Sequence, residues 1–364
     1  MGCPRETGFK LSQASLKRYA SSGIIGLHFT QEELFLAHGQ RAGQTFHVGS
    51  MDVIDITQHM LEGGEYNTLT LGPMIEEAVR SQRIKTRKAI ISFPVKFPWI
   101  RVIDVPVMSQ REMARIVRLE VERLYLDSTV EKLIDFFPLD DAKDKGPGGT
   151  MPVLSCAIPK NSVAPYIDLL EAANLELIGI DLVEVNVLKM AALQGVDFND
   201  GITLILNFNT TSTDLMLMEN NKLQLVRKVG QGKQQLREIL NRTMPPDDMA
   251  RRDLGNIDFT VPTEHLALAG EYVTSMLGEI RRSIEFYLTD IKRQEGNVSK
   301  VILAGSGYWP TNLPAILGMQ LHLPMIDLKF ERMPDVICET SFGREFPACG
   351  VYAPVLGSVL RGIG

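Results

Sequence analysis

Two stretches of this chain follow one plan: GLHFTQEELFLAHG from Gly26, and LNFNTTSTDLMLMENNKLQLV from Leu206. Each is an apolar strand, a polar loop and a second apolar strand. Leu27-His28-Phe29-Thr30 stands against Leu206-Asn207-Phe208-Asn209. Leu34-Phe35-Leu36 answers Leu215-Met216-Leu217, with one extra loop residue in the second copy. A third strand follows each, Thr45–Val48 in the first and the run after Asn220-Asn221 in the second. A hairpin recurring at the head of each half predicts a duplicated α/β architecture with a cleft between the halves. A length of 364 residues buries enough surface for two or three lobes.

The segments between these hairpins alternate strand and helix. Ile24–Phe29 and Leu34–Ala37 read as strands, with Gly39 and Gly43 marking the turn before the third. A helix is predicted over Met74–Gln82, then a buried strand in KAIISFP and another in RVIDVPV. Ser109 and Glu112 form a capping box ahead of Met113, Ile116, Val117, Val121 and Leu124, which share one helical face. The polar, Gly/Pro-rich run at 140–150 marks a subdomain edge. Strand MPVLSCAIP, a helix over Val163–Ala173, strand ELIGIDL and helix VNVLKMAAL complete the first half. In the second, GKQQLREIL and Ala267–Asp290 are helical. The stripe Val273, Met276, Leu277, Ile280, Ile284, Tyr287, Leu288 and Ile291 reads as core. SKVILAGSGYW runs from a buried strand into a Gly305-Ser306-Gly307 turn. LPAILGMQLHLPMIDL gives a short helix and a strand, and a small-residue helix closes the chain.

A net charge of −6 argues against a nucleic-acid or anionic-membrane surface. No apolar run approaches the roughly 18 residues a spanning helix needs. Glu6 stands where a myristoylation pattern wants Ser or Thr. Cys3, Cys156, Cys338 and Cys349 keep no metal-ligand or disulfide spacing, which fits a reducing cytoplasm. No nucleophile elbow, Walker loop, zincin helix or dinucleotide fingerprint is present. Glu120 and Glu122 point about 200° apart on a helix, so they are no acid/base pair. Asp247-Asp248, after two prolines, reads as a helix cap. His28 keeps no ligand spacing with another histidine or carboxylate and reads as a hydrogen-bonded structural residue.

Several motifs occur in an order that resembles a known family. RLEVERLYLDSTVEKLIDFF, YIDLLEAANLELIGIDL, NNKLQLVRKVGQGKQQL, GEIRRSIEFYL and VILAGSG resemble, in sequence, segments of actin-like ATPases. More closely, they resemble the PilM family of type IV pilus assembly proteins, from Gly23 to Ile363. The resemblance implies a two-lobed, duplicated actin-like (ribonuclease H-like) fold. It implies a flexible tail over 1–22, a first lobe over 23–198 with a small subdomain inserted at about 95–150, and a second lobe over 199–344. Residues 345–364 are then a C-terminal helix packing back on the first lobe.

In that family each phosphate hairpin carries an acid and a glycine. The acid holds a metal through water, and the glycine lets backbone N–H groups approach phosphate. Here His28 and Thr30 replace them in the first hairpin, and Asn207 and Asn209 in the second. The loop continues Gln31-Glu32-Glu33, and the two glutamates bring carboxylates toward the phosphate position. The expectation is a protein without catalysis, metal or obligate cofactor. Binding of ATP without hydrolysis stays open through Thr210, Thr211, Ser212, Arg282, Ser283, Gly305, Ser306 and Gly307. The resemblance further implies a cytoplasmic scaffold, peripheral to the inner membrane. It would grip the N-terminal peptide of a single-pass PilN-like protein between the first subdomain and the inserted one, near FPWIRVIDVPVMS. Trp99 reads equally as a binding hot spot or as core. The competing readings are an active ATPase or kinase, which needs an acid in the cleft, and an FtsA-like filament former, which needs a C-terminal amphipathic anchor. A type II secretion component of this fold would carry a membrane helix.

Overall fold

Strand β1 (Ile24–Phe29) carries one polar side chain, His28, and all six of its residues are buried, as befits a central strand. The computed structural model describes residues 23–43, 45–61, 65–93, 99–125, 130–139, 149–243, 254, 267–292, 296–305, 309–310, 312–329, 333, 336–338 and 349–360. β1 pairs antiparallel with β2 (Glu33–Ala42), and β2 with β3 (Thr45–Asp55). Gly39, expected in the turn, lies inside β2 at a register shift, where a Cβ would meet the Phe46 ring at 2.4 Å. The turn itself centres on Gly43, whose φ of +67° favours glycine.

Helix α1 (Thr68–Ser81) begins six residues before the sequence-based expectation, capped by Asn67, and runs through Pro73. Gly72-Pro73 reads as a stop, but Leu71, Ile75 and Val79 bury one face and hold the helix together across it. β4 (Lys88–Phe93) then lies parallel to β1. β5 (Trp99–Pro106), α2 (Gln110–Leu124), β6 (Lys132–Pro138) and β7 (Thr150–Pro159) form a separate antiparallel sheet of order β5-β7-β6 under one helix. Its core is Val105, Met113, Val117, Val121, Met151, Val153 and Ala157, and half-buried Trp99 packs against it. The capping box forms as expected. The Glu112 N–H donates to Ser109 Oγ, and the Ser109 N–H donates to Glu112 Oε2 at 3.1 Å. After α3 (Ala164–Ala172), β8 (Glu176–Leu182) returns parallel to β4, and α4 (Val183–Leu193) follows.

The second half repeats the scheme. β9 (Ile202–Phe208), β10 (Thr213–Glu219) and β11 (Lys222–Val229) are antiparallel, followed by α5 (Lys233–Thr243) and α6 (Ala267–Phe286). β12 (Val298–Ala304) runs parallel to β9, then come α7 (Leu313–Leu321) and the two-residue β13 (Met325–Ile326). The two sheets read β3-β2-β1-β4-β8 and β11-β10-β9-β12-β13, the same order twice, with β14 (Val336–Cys338) added outside β3. This is the duplicated α/β fold the paired hairpins predict. The last helix is α8 (Cys349–Val359).

Two compact units result. The first takes the chain as far as Leu193, with β14 and the last helix from Pro354. The second takes over at Gln194 and includes that helix's start, to Ala353. In the first unit α8 lies tightly on α4: a Cβ on Gly357 would come 2.5 Å from Asn186 Cβ. The Asn186 amide donates to Pro354 O and Lys189 Nζ to Gly357 O, each at 2.9 Å. In the second unit Val273, Met276, Leu277 and Ile280 of α6 are buried as the stripe requires. Ile291 is not, at 46% exposure. Residues Tyr287–Lys292 form a π-helical turn, whose wider pitch rotates Ile291 off the face that Tyr287 keeps. Among the described residues no helix is long and apolar enough to cross a membrane.

Candidate functional site

The two hairpin tips answer the phosphate-loop question separately, because each sits in its own unit. In the first, alternation turns His28 inward, where it is 2% exposed. Its Nδ1 lies 3.0 Å from the Ser92 carbonyl oxygen, which can only accept, so Nδ1 carries the proton. Phe35 stands opposite His28 in register, ring centroids 6.0 Å apart, and Val53 stands opposite Phe35. Thr30 closes the loop on itself. Its Oγ1 accepts from the N–H groups of Glu33 at 2.8 Å and Glu32 at 3.3 Å, and donates to Glu33 O. The Ile56 N–H bonds Glu32 O. Behind Thr30, Phe29, Tyr66, Phe93 and Tyr166 pack ring to ring at 5.1–5.6 Å. Burial pushes both tyrosine hydroxyls above their usual pKa.

The second tip is polar and ionic. Asn207 of β9, Asp214 of β10 and Lys228 of β11 are direct cross-strand partners and form one row across the sheet. Asp214 is 2% exposed. Its Oδ2 accepts from the side-chain amides of Asn209 at 2.7 Å and Asn207 at 3.1 Å, and Lys228 Nζ lies 3.3 Å from Oδ1. Burial raises the Asp214 pKa, and Lys228 together with the two amides opposes that rise. Neither Asp214 nor Lys228 stands out in the sequence as a site residue. The signal for Asp214 is a lone acid in the apolar run TDLMLM; Lys228 becomes visible only once register is known.

The loop Thr210-Thr211-Ser212 is pinned from below. Asn209 O and Thr210 O accept the first amides of α5, from Lys233 and Gln234, at 3.0 and 2.8 Å. Gly232 packs so closely that a Cβ would lie 2.5 Å from Ser212 N. The Gly232 carbonyl accepts from the Tyr272 hydroxyl at 2.8 Å. Ser212 is buried, Thr210 half-buried and Thr211 exposed. Gly305, with φ +150°, abuts the same strand end: a Cβ there would lie 2.1 Å from Phe208 O, so only glycine fits. Ser306 and Gly307 lie outside the described residues. Buried Lys233 stands 5.7 Å from the Phe208 ring centroid and 5.6 Å from that of Trp309.

Asn207, Asn209, Thr210–Ser212 and Gly305 therefore meet at one corner of the second sheet. Ser283 is fully buried in α6 and donates to Glu279 O of its own helix at 2.7 Å. The Arg282 guanidinium pairs with the Glu279 carboxylate one turn away and holds it below its ordinary pKa.

Two hairpin-headed sheets of identical order, with a small sheet and helix inserted between β4 and β8, define a protein of the actin-like fold. A family model described as type IV pilus assembly protein PilM matches residues 26–333. The chain belongs to that family, and its place is in type IV pilus assembly. No curated protein matches it by sequence. Among solved structures, a PilM–PilN type IV pilus biogenesis complex is similar at a TM-score of 0.78 and 22% identity, over 94% of this chain and 98% of that one. The ethanolamine utilization protein EutJ from Carboxydothermus hydrogenoformans gives 0.49 and 11%, over 93% and 89% of the two chains. MreB 5 of Spiroplasma citri, bound to AMPPNP, gives 0.45 and 9%, over 93% and 96%.

Proposed function

We propose that this protein is a non-catalytic cytoplasmic scaffold of pilus assembly. It binds the N-terminal cytoplasmic peptide of a PilN-like inner-membrane protein between its first subdomain and the inserted sheet, and reaches the membrane through that partner. Support for the partner comes from the family and from the related PilM solved in complex with PilN. The observation that carries the non-catalytic reading is the self-satisfied chemistry of both hairpin tips. Thr30 takes up the amides of Glu32 and Glu33 that would face a phosphate. The one buried acid of the second tip, Asp214, is neutralised by Lys228 and two asparagine amides. These residues do not fit a magnesium-bound phosphate, which needs an accessible carboxylate and open N–H groups.

The test has two arms on the purified full chain. Fluorescence anisotropy with a labelled peptide from the N-terminus of the PilN-like partner is expected to show saturable binding. Calorimetry with ATP, with and without magnesium, is expected to show no magnesium-dependent heat and no phosphate release. Absence of peptide binding removes the scaffold reading. Magnesium-dependent binding of ATP abolished by Asp214→Asn establishes the second reading, an actin-fold ATPase. That reading draws on Asp214 being a buried carboxylate at the strand end.

A further inference from the structure

The inserted sheet carries a second recognition feature, independent of the hairpin tips and of the partner just proposed. Among the described residues β6 pairs with β7 alone, and at its outer edge the Phe136 N–H donates to Asp135 Oδ1 at 2.8 Å. Alongside that edge runs α2, and between them lies a groove of about 520 Å³. Ile134 and Phe136 of β6 form its floor, and Leu119 of α2, 61% exposed, forms part of its wall. Asp135, between the two floor residues, turns its side chain to the other face of the sheet, opposite Cys156 in register. On the helix side stand Arg115 and Arg118, both exposed and neither in an ion pair within the described residues. The nearest acid one turn back, Glu112, is held chiefly by the Ser109 cap, with the Arg115 charge a lesser influence on it. In a chain of net charge −6, two exposed guanidinium groups beside an apolar floor and an outer strand edge are a local reversal of character.

We propose that this groove binds an extended, acidic segment of a partner protein by strand addition to β6. The segment's backbone pairs with the outer edge of β6 and takes the Phe136 N–H from Asp135. Its apolar side chains, on alternate positions, rest on Ile134, Phe136 and Leu119, and its carboxylates meet Arg115 and Arg118. An edge strand of this kind otherwise invites pairing with any exposed strand. The arginines make the choice selective, because a neutral or basic strand leaves them without counter-ions.

The test selects a displayed library of random ten-residue peptides against the full chain and, in parallel, against the exposed-surface double variant Arg115→Glu/Arg118→Glu. Circular dichroism and melting verify that the variant is folded. Selected peptides are expected to alternate acidic and apolar residues. Their affinity should fall at least tenfold in the double variant, and survive within threefold in Arg115→Lys/Arg118→Lys. Hydrogen exchange should slow in β6 when peptide is bound. Four outcomes overturn the proposal. One is enrichment without acidic bias, or no enrichment over the double variant. Another is equal affinity for both proteins. A third is a dimer of the free chain, seen in sedimentation, that Arg115→Glu/Arg118→Glu dissociates, which would make a second copy the occupant. The last is displacement of the selected peptide by the PilN-like peptide, which would assign the groove to that partner.

Discussion

Asn207→Asp places a carboxylate where the family resemblance implies an acid, and the cost of doing so follows from Asp214. The Asn207 amide donates to Asp214 Oδ2 at 3.1 Å, with both residues buried. A carboxylate in its place turns that bond into a like-charge contact, repulsive by about 5 kcal/mol at an effective dielectric of about 20. Lys228, on the far oxygen of Asp214, returns about 3 kcal/mol if it lies roughly 6 Å from the new charge. The alternative is to keep one proton on the pair. From the ordinary aspartate value of 3.8, that costs about 4 kcal/mol at pH 7, less the carboxyl–carboxylate hydrogen bond gained. Either route leaves a loss of about 2–4 kcal/mol at neutral pH. The sign with pH is fixed: the folded pair has a raised pKa and binds more protons than the unfolded chain. Its stability is therefore greatest at low pH and falls as pH rises from about 4 through the folded value. Thermal melting of wild type and Asn207→Asp at pH 7 and pH 5 reads this directly. The second unit of the variant should melt about 5–12 °C lower at pH 7 and within about 2 °C of wild type at pH 5. Equal melting at pH 7, or a deficit unchanged at pH 5, refutes the coupling of positions 207 and 214.

Three further outcomes follow from close packing, capping and burial. Gly357→Ala forces a methyl group to within 2.5 Å of Asn186, and should cost about 2–3 kcal/mol, as overpacking does; melting of the first unit measures it, with Ser358→Ala as a neighbouring control. Ser109→Ala removes the α2 cap and should cost about 1 kcal/mol, with faster amide exchange confined to the first turn of that helix. The Cys156 thiol is pushed up to about 12, mainly by burial and then by the Asp135 charge. The folded state therefore holds its proton more tightly, and stability is lost as pH rises above 9.0. Cys156→Ser should flatten that alkaline decline, and peptide mapping after iodoacetamide at pH 8 should find native Cys156 almost unlabelled.

What could be read from the sequence was what depends on local pattern. The buried runs of β1, β4, β9 and β12, the Ser109 capping box and the paired hairpins each announce themselves within a dozen residues. What escaped depends on partners distant in sequence. α1 starts early because its buried face outweighs Gly72-Pro73. Ile291 leaves the core because a π-helical turn inserts itself where Tyr287 and Lys292 both reach Glu219, at 3.0 and 2.5 Å. The Asp214–Lys228 pair needs the register of β10 on β11, fixed beyond a shift at Leu217/Met218 that no propensity foretells. Ser283 has the residue type of a nucleotide contact, yet a buried helical serine finds its nearest acceptor in its own helix.

The two hairpin tips satisfy their polar groups by opposite routes, and the same cross-strand row records both. In the first half the row is His28, Phe35 and Val53, an apolar row closed by one histidine on the Ser92 carbonyl. In the second it is Asn207, Asp214 and Lys228, an internal ion pair flanked by amides. A carboxylate at position 28 would be buried beside Phe35 and would face the Ser92 carbonyl oxygen. A carboxylate at position 207 would face Asp214. Each tip thus resists an added acid for its own reason. An acid added at 207 or a cation removed at 228 would each leave the buried Asp214 carboxylate with uncompensated charge beside it, so positions 207, 214 and 228 are expected to change together.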